Sequence, residues 1–319
     1  MRRWSTPALL MTALIVLVAL GVAIALAFLP TPRAGSPPPA EAPAPTAEPR
    51  QPGPPVLAIK IDNVGEARPP TGIAAADLIY VEPVEGGFSR ILAIFGANKP
   101  TVVGPVRSAR ETDLEVLPQF GRPTLAYSGA APELLPRIAA APINDASDKN
   151  VPAAYTRDKS RPVPHNLFVH TDKLPQGADW APQSQLSYGG TPTGGKPAGH
   201  QEVRYPSASV GFDWSAEQGR WLVSMDGEPY TATDTGRLGP NTVVIQRVRI
   251  GQSSISDVAG NVSPLAETIG TGQAQVLRDG QVFDATWSRP SAEAGTTYTG
   301  PSGQPLDFAP GQVWVVLTS

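Results

Sequence analysis

An α+β (or α/β) N-terminal domain, a β-rich C-terminal domain and a single N-terminal transmembrane helix are the fold class this sequence predicts. A 22-residue uncharged run, residues 8–29, opens the chain. Between residues 56 and 174, short apolar runs bounded by Gly and Pro alternate with two short helix-like windows. From residue 201 to 319 no window carries the 3.6-residue period of a long amphipathic helix.

The first element follows from length. As a helix, residues 8–29 rise about 33 Å, enough for the bilayer hydrocarbon. Arg2 and Arg3 precede the run and favour a cytoplasmic N-terminus, which places the rest outside the cytoplasm. Residues 1–29 are therefore expected to be a membrane anchor. The alternative is a cleaved signal, with Ala25-Leu26-Ala27 resembling a small-x-small cleavage site. Residues 30–55 contain 11 prolines and no apolar periodicity, and read as a semi-rigid stalk.

Residues 56–174 are expected to form the mixed domain. VLAIKI (56–61), LIYVEPV (78–84), FSRILAIF (88–95), TVVGPV (101–106), PTLAYSG (123–129) and LFVHT (167–171) have strand character, whereas 111–120 and 132–140 fit short helices. Gly86-Gly87 lies between two of these strands and predicts a two-residue hairpin turn, with Pro83 opposite Arg90. Residues 175–200 are rich in Gly, Pro, Gln, Ser and Thr and are expected to be a linker. In residues 201–319, Asp226-Gly227 and Asp279-Gly280 each separate two apolar runs, the signature of a type I′ hairpin. NTVVIQRVRI (241–250) and QVWVVL (312–317) add strands, so a sandwich or barrel-like sheet is expected.

Composition excludes several functions. The chain has 319 residues, a net charge of −3 and no cysteine. The charge balance argues against nucleic-acid partners, which need a concentrated basic face. Without cysteine there are no disulfides, zinc–thiolate sites or thiol nucleophiles. The three histidines, His165, His170 and His200, follow no metal-ligand spacing, so no metal is expected. Gly270-Thr271-Gly272 lacks the third glycine and the helix of a dinucleotide site, so no cofactor is expected either.

The densest polar cluster lies in the first domain. In GPVRSAR (104–110), Ser108 and Glu111 match a capping box, which would start a helix at 111 and leave Arg107 and Arg110 beside its electropositive end. Two guanidiniums there suit a carboxylate or phosphate. The alternative is internal pairing with Asp62, Glu82 or Glu85. Glu85 and Arg90 are expected to share one sheet face and Glu82 to point to the other, which argues against a glycosidase pair within this hairpin. His165, fixed by Pro164 and followed by Asn166, suits a general base or a structural hydrogen bond. The ligand-binding candidates are Arg107, Ser108, Arg110, Glu85, Arg90, His165, Asn166 and Asp62.

ARPPTGIAAADLIYVEPVEGGFSRILAIF, VGPVRSAR and RPVPHNLF resemble the YerB-like family of bacterial lipoproteins, known as a domain of unknown function (DUF3048). GTGQAQVLRDGQVFDATWSR and LDFAPGQVWVVL resemble its C-terminal domain. The resemblance implies two domains on the outer face of the membrane, and it supplies no reaction. It marks Glu85, Gly86, Gly87, Arg90, Gly104, Pro105, Arg107, Ser108, Arg110, His165 and Asn166 as the signature. A lipoprotein carries a cysteine after its signal; this sequence has none, which leaves anchoring to residues 8–29. The expected function is an extracytoplasmic envelope protein that binds or scaffolds, with a cell-wall polymer or another envelope protein as partner. The alternative is an envelope hydrolase or transferase using Arg107 and Arg110 for substrate charge and His165 or Glu85 for proton transfer.

Overall fold

In β1 (Leu57–Ile61), β2 (Leu78–Pro83) and β3 (Ser89–Phe95) nearly every side chain is buried, whichever way it points. That is the pattern of strands covered on both faces. The computed structural model describes residues 53–181, 184–257 and 260–319. Among these the main sheet has eleven strands. From one edge it runs β21 (Thr297–Thr299), β20 (Gln281–Arg289), β19 (Gly270–Arg278), β16 (Thr242–Arg247), β22 (Val313–Thr318), β2, β3, β1, β5 (Thr124–Ala126), β6 (Asn144–Asp145), and β9 (Lys196–Pro197) joins β20.

The joint between the two halves of the sequence is β22. It pairs in parallel with β16 on one side and with β2 on the other, Leu78 opposite Val313 and Val81 opposite Val316. Two apolar layers sandwich the sheet. On one face Ala58, Tyr80, Leu92 and Val315 pack under Phe120, Leu134 and Ile138, from the short helices α1 (Glu111–Val116) and α2 (Leu135–Ala140) and the turns beside them. A two-stranded arm, β17 (Arg249–Ser256) with β18 (Val262–Glu267), covers the same face through Ile255 and Ala266. On the other face Ile59, Ile79, Ala93 and Trp314 meet three smaller sheets. These are β10 (His200–Tyr205) to β13 (Glu228–Pro229), through β11 (Ala208–Ser215) and β12 (Arg220–Met225); β14 (Thr231–Ala232) with β15 (Gly236–Arg237); and β4 (Val102–Val103), β8 (Leu167–His170) and β7 (Tyr155–Arg157).

The expected fold class is corrected on both counts. The described chain is mostly β-sheet, with two six-residue α-helices, and one sheet continues through both halves instead of ending at an α+β domain. Helix-like periodicity at 111–120 and 132–140 is real but short. Leu117–Phe120 and Pro132–Leu134 are 3-10 turns and not α-helix, and Pro118, Pro132 and Pro136 each remove a backbone donor. As for the transmembrane helix, no helix of the described residues is long and apolar enough to cross a membrane. The run 8–29 and residues 30–52 of the predicted stalk lie outside the described residues.

Residues between the halves are tied down at several points. Ala178 and Trp180 exchange backbone hydrogen bonds with Val56, Gly53 and Pro54, and Ser187 and Gly189 exchange them with Phe308. Asp226-Gly227 and Asp279-Gly280 form two-residue turns with φ of 55° and 82°, and 51° and 69°, as their sequences predict. The Gly86-Gly87 turn differs. It holds three residues, Glu85 to Gly87, so the register shifts by one and Glu82 stands opposite Arg90. Gly87 has φ 75°, and its carbonyl accepts from the Ser207 N–H; a Cβ there would lie 2.6 Å from Pro206. The hairpin tip therefore presses on the β10–β11 turn of the other half, an approach only glycine permits.

Candidate functional site

β3 carries Arg90 into a cleft of about 800 Å³ between the hairpin tip, the segment 107–111 and the β17–β18 arm. Arg107, Ser108, Arg110 and Glu85 line it with Arg90. The arm adds Ser254, Ile255 and Ser263, so both halves of the sequence build the walls.

Each predicted residue has a definite place. Arg110 binds Glu85 through two nitrogens, Nε and Nη2, at 2.9 and 2.8 Å from Oε2. Ser263 donates to the other oxygen, Oε1. Burial would raise the Glu85 carboxyl, but the Arg110 hydrogen bonds and charge, with the Ser263 hydroxyl, hold it below its ordinary value. Arg107 Nε lies 3.0 Å from Asp62 Oδ2, a charge contact without hydrogen-bond alignment. His165 Nδ1 lies 2.8 Å from the same oxygen, and Asp62 Oδ1 accepts the Asn63 N–H. The pairing alternative for Arg107 and Arg110 is thus realised with Asp62 and Glu85.

Arg90 differs from its neighbours. It is 8% exposed, and among the described residues its Nε has no partner and its Nη1 reaches only the Ser108 carbonyl, at 3.3 Å. Burial, then the like charges of Arg110 and Arg107, bring its pKa down to about 10, against the opposing pull of Asp62 and Glu85. Asn166 turns elsewhere: its side chain donates to the Asp158 carbonyl and accepts from Arg157. His165 lines a second, adjoining cavity of about 480 Å³, which shares Val64 and Phe88 with the first.

The predicted capping box does not form. Arg110, not Ser108, caps α1, and the Asp113 carboxylate accepts the Arg110 N–H at 2.6 Å. Glu111 instead pairs with Arg137 and Ser253. With six residues, α1 is too short for its dipole to define an anion site, so the electropositive character rests on the guanidiniums.

Beneath the cleft lies a group the sequence reading missed. Lys60 Nζ bonds Glu82 and lies 2.7 Å from Asp113 Oδ1, and all three side chains are fully buried. Burial pushes Glu82 up to about 8 despite the lysine, with Asp113 adding repulsion. The available signal was a lysine in the otherwise apolar run LAIKI, a position where an unpaired charge is untenable. Ser253 and Ser263 gave no signal, since serines are common in polar strands.

Fold and cleft together define a layered β-sheet protein in which two sequence regions share one sheet and one arginine-lined site. The chain belongs to the DUF3048 family, described as proteins of unknown function: residues 43–184 match its N-terminal domain and residues 201–315 its C-terminal domain. It is 27% identical over 277 residues to "Putative lipoprotein YerB" of Bacillus subtilis (strain 168), covering 81% of this chain and 80% of that protein. The fold is similar to the crystal structure of a YerB protein from Bacillus subtilis, with a TM-score of 0.68 and 20% identity, over 83% of this chain and 91% of that one.

Proposed function

We propose that this is an envelope-associated binding protein, with its folded part outside the cytoplasm, that holds an anionic group of its ligand beside Arg90. The observation that carries the reading is Arg90 itself: a buried guanidinium that, among the described residues, has no carboxylate of its own. Arg107 is matched by Asp62 and Arg110 by Glu85, whereas Glu111 at the cleft wall is engaged by Arg137, so none of these three carboxylates is bonded to Arg90. A buried charge is costly unless paired, so the site gains when a carboxylate or phosphate supplies the missing partner. Cell-wall polymers and envelope proteins carry such groups. The likeness to a relative described as a lipoprotein supports the location. Protease added to intact cells should digest the folded part; its protection would place the protein inside.

Titration calorimetry with inorganic phosphate and with soluble carboxylate-bearing wall fragments tests the site. Arg90→Met should weaken anion binding at least tenfold and leave the melting temperature unchanged or higher, because no carboxylate loses its partner. Arg110→Ala should instead cost about 3 kcal/mol of stability, since Glu85 would be left buried with the Ser263 hydroxyl but no cation. Equal destabilisation by both changes, or full binding by the Arg90 variant, would retire this reading.

A further inference from the structure

The geometry points to a general base at His165, which would hydrolyse a carboxylic ester of the anionic ligand held by the arginines. The inference rests on the binding reading and adds an activity to it. Asp62 is 2% exposed, and its Oδ2 faces the His165 Nδ1 at 2.8 Å. A carboxylate at that distance from a neutral imidazole takes the Nδ1 proton as a hydrogen bond, which puts the ring's lone pair on Nε2. Among the described residues no protein group is bonded to Nε2, and the ring lines the open 480 Å³ cavity. Asp62 is itself fixed by the Asn63 N–H and by the Arg107 charge, so the imidazole has a buried, oriented support.

Asp62 Oδ2 links His165 of one cavity to Arg107 of the other. Arg107 lines the cleft that holds Arg90. Val64 and Phe88 line both cavities, so an anion seated in that cleft lies beside the imidazole cavity. An ester attached to that anion would pass Val64 and Phe88 to reach the imidazole. The step balances with water alone. His165 Nε2 takes a proton from water as its oxygen attacks the ester carbonyl carbon. The tetrahedral intermediate then breaks its carbon–oxygen bond to the alcohol, and the imidazolium returns the proton to that leaving oxygen. The products are a carboxylic acid and an alcohol.

The test uses the chromogenic ester p-nitrophenyl succinate, which carries a free carboxylate, with neutral p-nitrophenyl acetate as control. The protein should hydrolyse the succinate ester above the buffer rate and prefer it at least tenfold by kcat/KM. His165→Ala should lose about a hundredfold or more in kcat, and added imidazole should restore part of it, which a structural histidine would not show. Arg90→Met should raise KM for the succinate ester alone. Asp62→Asn, acting through His165, should lower kcat with little change in KM. Hydrolysis equal to buffer, or turnover that His165→Ala leaves intact, overturns the inference. If succinate still binds in calorimetry, the binding reading stands without it; if succinate does not bind, both fall.

Discussion

Lys60→Met is expected to destabilise the protein by about 3–5 kcal/mol, because it leaves Glu82 and Asp113 buried without a cation. Equilibrium urea unfolding measures the loss directly. Nothing on the surface offers a substitute, since all three side chains are at 0% exposure. The companion variant, Glu82→Gln, resolves the proton balance of the group. Burial holds Glu82 at about 8 in the folded state, against 4.5 in the open chain. A raised carboxyl contributes stability that is full below about 4.5 and lost as pH rises towards 8. The parent protein should therefore lose stability across that window, and Glu82→Gln should flatten the slope. An unchanged slope would show that Glu82 is already ionised beside Lys60.

Trp314→Ala should cost about 3–5 kcal/mol, the usual range for emptying a large buried aromatic site. Trp314 is 0% exposed in β22 and meets Phe212 and Tyr230 edge-on, with ring centroids 6.1 and 6.2 Å away. The change also removes the indole N–H that donates to Gln312 Oε1 at 2.7 Å, leaving that oxygen without this donor. Because β22 is hydrogen-bonded to strands of both halves, the variant should still unfold in one transition at lower temperature. Two separated transitions in calorimetry, with the β1–β3 half unaffected, would contradict the shared sheet.

Local chemistry was legible where neighbours in sequence decide it. The two Asp-Gly turns need positive φ at adjacent positions, and they have it. The apolar runs at 57–61, 78–83 and 89–95 read correctly as strands. The Gly86-Gly87 turn was one residue longer than its glycines suggest, because Glu85 leaves the strand to meet Arg110 and Ser263. Such a pull comes from residues far away in sequence. The same limit explains the fold class: QVWVVL shows itself as a strand, but nothing within it reveals that LIYVEP is its neighbour. At the site, Arg107 meets Asp62 and Arg110 meets Glu85, pairings that residue type suggests, whereas Glu82 goes to Lys60. The contribution of the β17–β18 arm was invisible, since it depends on that long-range pairing.

The position of β22 sets a timetable. Leu78 finds its partner Val313 only when the long stretch of chain between them has been made. At the usual 5–20 residues per second, that wait lasts about ten to fifty seconds. Throughout it, β2 offers a row of unmatched N–H and C=O groups next to LIYVEP, an apolar sequence suited to pairing with any passing strand. A nascent chain must therefore be shielded until β22 arrives, and a truncation near residue 312 would leave that edge open for good.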